Sequence, residues 1–249
     1  TANRRQRQMC IRDSYISMGE GAELLADELS ISREDQEEFS FRSHERAVEA
    51  RDSGKFDNEI VPIILEDGVV LDKDSGPRNP DKEKIKSLKP AFKADGTVTA
   101  ATSSPFSIGA SAMLITSENY AKKNGLKIRA YIEGRAVTGV NWTMFGSGPI
   151  PATTKALKNT GLSMDDIDVV EINEAFAAQA LYCIRKADWD ESKVNLNGGA
   201  IALGHPLGIS GTRIITTLLN ILEQQDKSTG LATMCVGTGQ GITTIIKRG

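Results

Sequence analysis

The sequence predicts a layered α/β protein in which helices pack against a sheet expected to be mostly parallel. Three observations carry this reading. From about residue 126 onward, strand-like and helix-like patterns alternate, which is the signature of strands joined by covering helices. The stretch Asn197–Arg213 holds five glycines, one proline and one of only two histidines, and an apolar run at helical spacing (Ile214, Ile215, Leu218, Leu219, Leu222) follows it. The chain has 249 residues, 39% of them hydrophobic, enough to bury a sizeable core in one large or two small domains.

Residues 1–13 are polar and basic without periodicity, and the character of the sequence changes at Ser14–Tyr15, so this segment is expected to be foreign to the rest. From Met18 to Leu29 the pattern is helical, with Leu24, Leu25 and Leu29 on one face. Ser32 is the expected N-cap of a second helix, with Glu34 and Asp35 in its first turn, running to about Asp52 and stopped by Gly54. Phe39, Val48 and His44 are assigned to its packed side. Leu71–Pro90 is charged and rich in turn residues, as a surface loop should be. Ala110–Ser117 reads as a buried strand and Glu118–Asn124 as a helix closing at Gly125. A domain boundary is expected near Gly125–Lys127, which divides the chain into 1–13, 14–125 and 126–249.

Beyond that boundary, Ile128–Glu133 and Ala136–Val140 read as strands and Pro149–Thr160 as a helix with proline at its start. Asp168–Ile172 is a predicted strand, Glu174–Lys186 a helix and Val194–Leu196 a strand. The run closes with a helix over Ser210–Gln225, which Ser210 can cap, and strands at Leu231–Val236 and Gly241–Ile246.

Composition excludes several classes of function. A net charge of −3 gives no basic footprint for nucleic acid. No apolar run is long enough to span a membrane. Three cysteines without a secretory signal point to free thiols in a reducing compartment, the cytoplasm or an organellar matrix. Two isolated histidines give no metal site. Gly237, Gly239 and Gly241 have the wrong spacing for a dinucleotide fingerprint, and Gly208-Ile-Ser-Gly is not a nucleophile elbow.

Three stretches point to one chemistry. Asn173-Glu174-Ala175-Phe176-Ala177 follows a predicted strand. The glycine-rich loop delivers His205 ahead of a helix N-terminus, where free N–H groups and positive potential suit a thioester oxygen, a phosphate or an oxyanion. Cys235-Val236-Gly237-Thr238-Gly239-Gln240-Gly241 lies between two predicted strands, so the thiol borders open backbone. In this order and spacing they resemble the C-terminal half of a thiolase, and the resemblance runs from about Tyr15 to the end.

The resemblance implies a layered αβα C-terminal domain, preceded by the loop domain and the last strand and helix of an N-terminal domain. It implies acyl-CoA C-acyltransferase activity: Claisen condensation of acetyl-CoA with an acyl-CoA, and thiolysis of 3-ketoacyl-CoA, through a cysteine acyl-enzyme. Coenzyme A enters as substrate and no cofactor is implied; the parent enzyme would be a homodimer or homotetramer. By the same resemblance Cys235 is the acid/base. His205 activates the nucleophile and bonds the thioester oxygen, Asn173 holds a water in that oxyanion hole, and the Gly237 N–H serves a second one. Ser104 and Arg78 are placed against coenzyme A, and Phe145, Ala175 and Phe176 near the acyl group. Glu174 is given a structural role. Phe145 stands where acetyl-specific thiolases often carry methionine, and Ser17-Met18-Gly19 replaces a His-Met-Gly, so longer acyl chains come into question. No stretch matches the family's nucleophilic cysteine: Cys10 and Cys183 have the wrong neighbours. The chain alone is therefore expected to be inactive, and the alternative is a non-catalytic acyl-CoA-binding protein.

Overall fold

A computed structural model of the chain describes residues 16–237 and 239–249. The expectations for segment 1–13 and for Cys10 lie outside the described residues.

Two helices open the described chain. In α1 (Met18–Glu28), Ser17 accepts from the Glu20 N–H while the Glu20 carboxylate accepts from the Ser17 N–H, a reciprocal cap. Leu25 is fully buried, whereas Leu24 is 41% exposed and does not share its face. The missing side chains of Gly19 and Gly21 make room for the rings of Phe92 and Phe145. The second helix, α2 (Arg33–Asp52), starts on the predicted Ser32 cap, closed by Asp35, and ends just before Gly54, whose φ is +74°. Phe39, His44, Ala47 and Ala50 are buried on it, and Val48 is half-buried.

The stretch between residues 54 and 117 carries little regular structure. It holds a two-rung antiparallel pair, β1 (Ile63–Ile64) with β2 (Val70–Leu71), and the short α3 (Lys82–Lys86). The buried strand expected over residues 110–117 does not form. That run joins no strand among the described residues and is exposed throughout, with Ser111 Oγ donating to the Ile209 carbonyl at 3.2 Å. Helix α4 (Glu118–Lys123) follows and closes at Asn124 before Gly125.

The second half forms a four-stranded sheet in the order β3-β6-β5-β4. Its strands are β3 (Ala130–Gly139), β4 (Val169–Ile172), β5 (Thr229–Val236) and β6 (Gln240–Arg248). Only β4 and β5 are parallel; β5/β6 and β3/β6 are antiparallel, so the sheet is mixed. The cause is the short turn after Val236, which folds β6 back beside β5 where a crossover would have kept the direction. The two strands expected over 128–140 are one strand with a bulge between Ile132 and Gly134. The strand expected at 194–196 is reduced to a single bridge between Val170 and Val194.

Helices cover both faces: α5 (Pro149–Thr160) packs mainly on β3 and β6, and α8 (Ser210–Gln224) on β4 and β5. Adjacent residues record the layering. Leu231 and Ile245 enter one apolar cluster, while Ala232 and Ile246 enter the other, because successive strand side chains point to opposite faces. Strand β4 is buried along its whole length, as a parallel strand covered on both faces must be. Helix α6 (Ala177–Lys186) completes the first layer, and α7 (Ala200–Leu203) forms a single turn inside the glycine-rich stretch.

Candidate active site

Strand β4 ends at Ile172, and the N–H of Asn173 bonds the Thr233 carbonyl at 3.0 Å. Asn173 therefore sits at the carboxyl end of the parallel β4/β5 pair, one residue short of the level of Cys235 on the neighbouring strand. Such strand ends open onto clefts in α/β sheets. Asn173 is fully buried, and its Nδ2 lies 3.4 Å from His205 Nε2. The topology thus brings Asn173 and His205 into contact and Cys235 to the same end of the sheet.

The expected helix start at Glu174 gives way to an extended stretch, with α6 beginning at Ala177. The reason lies in the Glu174 side chain. Its carboxylate accepts from Ser43 Oγ (2.6 Å), Asn195 Nδ2 (2.7 Å) and the Ile201 N–H (3.2 Å). These contacts hold α2, the 195–199 turn and α7 to one another. Gly199 passes so close to this carboxylate that a side chain there would collide with it. Burial pushes the Glu174 pKa up, opposed by its three hydrogen bonds. Glu174 thus ties these elements together.

The same extended stretch receives residues 103–104. Ser103 bridges Phe176, and Ser104 donates both its N–H (3.0 Å) and its Oγ–H (3.1 Å) to the Ala175 carbonyl. Ser104, Ala175 and Phe176 are thereby gathered beside Asn173. The Phe176 ring also meets Phe92 edge to face, 5.8 Å between centroids. Phe145 is buried against Gly21 and belongs to the apolar cluster that includes Cys235. Arg78 stands apart on the exposed surface, with its charge felt by the buried His44.

His205 is half-buried, and burial, followed by the nearby Arg213 charge, lowers its pKa, so the ring is neutral at pH 7. Ser210 is not the cap of α8; Ile209 is, and the Ser210 hydroxyl turns back to His205 Nδ1 at 2.6 Å. Cys235 is 8% exposed, and burial pushes its thiol up to about 12, so it holds its proton. Beside it, Gly237 has φ +56° and open space where a side chain would be, which leaves its backbone approachable. Gly239, at φ +102°, has no such room: a side chain there would meet the Val140 carbonyl at 2.7 Å. Cys183, fully buried, donates from Sγ to the Gly146 carbonyl, and burial raises its pKa. It is held as a core residue.

Sequence reasoning missed the charged network beneath this end of the sheet. Glu171 is fully buried inside β4, with Arg213 Nη1 3.7 Å from its Oε2, and burial pushes its pKa up to about 8. Glu59 accepts from Asn220 Nδ2 (2.7 Å) and Thr217 Oγ1 (3.2 Å) on α8, and burial raises it to about 7. The available signal was Glu171 itself, a carboxylate inside an otherwise apolar strand. Ser43 and Asn195 carried no such signal, because their role exists only where Glu174 folds onto them.

Two family profiles cover nearly all of the chain: "Thiolase, N-terminal domain" over residues 2–119 and "Thiolase, C-terminal domain" over residues 126–248. A 3-ketoacyl-CoA thiolase of Photorhabdus laumondii is 55% identical over 240 residues, which cover 93% of this chain and 62% of that protein. One from Vibrio parahaemolyticus is 54% identical over the same length. The chain thus spans a little over three-fifths of the length of these curated relatives. Among solved structures, the acetyl-CoA acetyltransferase of Bacillus anthracis matches with a TM-score of 0.92 at 43% identity, covering 94% of this chain and 61% of that one. Human mitochondrial 3-ketoacyl-CoA thiolase in complex with CoA matches with a TM-score of 0.93 at 41% identity, covering 96% and 60%.

Proposed function

The chain belongs to the thiolase family, and from that premise we propose that it carries the acid/base half of an acyl-CoA C-acyltransferase site. The reaction is condensation of acetyl-CoA with an acyl-CoA and the reverse thiolysis of a 3-ketoacyl-CoA. The observation that carries the reading is the meeting of Asn173 and His205 at the end of the β4/β5 pair, with Cys235 and the open Gly237 turn on the adjoining strand.

The protonation states suit the division of labour. A neutral His205 can accept a proton from a nucleophile and then hold the thioester oxygen, with Asn173 positioning a water beside it. A protonated Cys235 is an acid, able to return a proton to the acetyl carbanion in thiolysis and, once deprotonated, to remove one in condensation. The Gly237 N–H would stabilise the second oxyanion. Ser104, Ala175 and Phe176 line the approach of the pantetheine and acyl groups, Phe145 shapes the acyl end, and Arg78 takes a coenzyme phosphate.

Among the described residues, Cys183 is packed in the core with its thiol bonded to the Gly146 carbonyl and Cys235 is assigned to proton transfer, so neither is assigned as the nucleophile of the acyl-enzyme step. On this reading the chain binds acyl-CoA and does not turn it over by itself, and the whole protein would be a homodimer or homotetramer. Its free thiols suit the cytoplasm or an organellar matrix.

The test joins titration calorimetry with CoA and acetyl-CoA to a thiolysis assay on acetoacetyl-CoA and a longer 3-ketoacyl-CoA, for the chain and for Cys235→Ser. Saturable CoA binding in both proteins, with no turnover in either, is expected. A folded chain that binds no CoA at millimolar concentration overturns the reading. Turnover that survives Cys235→Ser overturns the assignment of Cys235.

A further inference from the structure

Ser210 lies five residues beyond His205, and the turn between them brings it back beneath the imidazole. Pro206 fixes the start of that turn, and its carbonyl accepts from the N–H groups of both Ile209 (3.0 Å) and Ser210 (3.2 Å). The Ser210 side chain is 1% exposed. Its Oγ stands 2.6 Å from His205 Nδ1 and 3.1 Å from the Pro206 carbonyl.

We propose that Ser210 is a positioning residue that holds His205 in the Nδ1–H tautomer, so that the Nε2 lone pair faces the site. A hydroxyl has one proton and two lone pairs. At 3.1 Å from the carbonyl four residues back, that proton makes the back-bond common for serine at the start of a helix. The Ser210 oxygen then turns a lone pair to Nδ1, and Nδ1 must carry the hydrogen. The other ring nitrogen agrees independently. As the Asn173 amide is placed, its nitrogen faces Nε2 and donates, which makes Nε2 the acceptor. The reverse tautomer would set two N–H groups against each other there.

The arrangement differs from a histidine oriented by a carboxylate. A serine oxygen fixes the tautomer through a neutral contact, so it does not draw the ring toward the charged form as an anion would. Nε2 is free to accept a proton first and, once protonated, to donate. What Nε2 does with that freedom rests on the acyltransferase reading; the tautomer does not.

The test is made on the folded chain without CoA, so its outcome stands apart from any failure to bind or turn over substrate. Long-range proton–nitrogen spectra of the nitrogen-15-labelled chain are recorded where His205 is neutral, and His205→Asn assigns the signal. The chain has only two histidines, and the buried His44 reports that the fold is intact. We expect a protonated-type shift at His205 Nδ1 and an imine-type shift at Nε2; the opposite pattern overturns the proposal. Ser210→Cys keeps the shape of the side chain but replaces the oxygen with a poor acceptor, and Ser210→Ala removes it. Either folded variant should change His205 from one predominant tautomer to a mixture with comparable Nε2–H. A variant with unchanged His44 shifts and an unchanged His205 tautomer overturns the role of Ser210.

Discussion

Residues 105–117 and residues 169–184 are both rich in apolar side chains, and they end in opposite environments. In the second stretch β4 is buried at every position, and α6 buries every residue from Ala177 to Ile184. In the first, Phe106 and Ile108 are fully exposed, and Leu114 and Ile115 are 75% and 66% exposed. Local composition sets how much a segment would gain from burial, but a strand is buried only where another strand completes its hydrogen bonds. Strand β4 finds β5 alongside and α8 above, and the 110–117 run has no strand beside it among the described residues.

The largest expected effect tests this contrast directly. Leu218 is fully buried where α8 meets β4 and β5, so Leu218→Ala should cost about 2–5 kcal/mol, the range for a leucine truncated in a packed core. Leu114→Ala should shift stability by no more than about 0.5 kcal/mol, as for an exposed position. Urea midpoints of the two variants decide it. A Leu114 effect near that of Leu218 would mean that the first stretch packs in solution, as a second copy of the chain could make it do.

The buried carboxylates sharpen the comparison inside the ordered half. Glu174 has three hydrogen-bond partners; among the described residues Glu171 has one ion-pair partner, Arg213 at 3.7 Å, and both its oxygens lack a hydrogen bond. Burial raises the Glu171 pKa from 4.5 to about 8, so the folded chain holds that proton more tightly than the unfolded chain does. This contribution to stability is whole below pH 4.5 and is lost as pH rises through about 8. Glu171→Gln, which mimics the protonated acid, should remove up to about 1.4 kcal/mol per pH unit of slope in that window. Denaturant titrations at pH 5, 6.5 and 8 measure it (roughly one slope unit at most by the same linkage). Parallel pH profiles of the wild type and Glu171→Gln would show that Glu171 is ionised in the fold.

The same division describes what the sequence made legible. The layered α/β architecture, both opening helices, the Ser32 cap of the second and helix α5 follow from periodicity and from cap residues, all local signals. His205 and Cys235 stand out in glycine-marked stretches and Asn173 at the end of a predicted strand, and the fold brings them to one end of the sheet. What was not legible depended on partners distant in sequence. The direction of β6 is set by the short connection from β5, the late start of α6 by the partners of Glu174, and the exposure of residues 110–117 by the lack of a pairing strand among the described residues. Ser210 was legible as a helix-start residue, but its true partner is the histidine five residues earlier.

The smallest expected effect uses one chemistry in both regions. Ser32 caps α2 by accepting from the Asp35 N–H at 3.0 Å, and Ser117 caps α4 by accepting from the Tyr120 N–H at 3.2 Å. Cap removal exposes or strands one backbone donor and costs an isolated helix about 1 kcal/mol. For Ser32→Ala that cost should appear in global stability, because the 20 residues of α2 carry Phe39, Ser43 and Ala47 into the core and cannot loosen without it. Helix α4 has six residues and buries only Ala121, so it can fray while the sheet stays folded. Ser117→Ala should therefore leave the urea midpoint within error and speed amide exchange at residues 120–124. A shift in the midpoint as large as that of Ser32→Ala would couple α4 to the core, and the contrast between the two regions would then fail at its boundary.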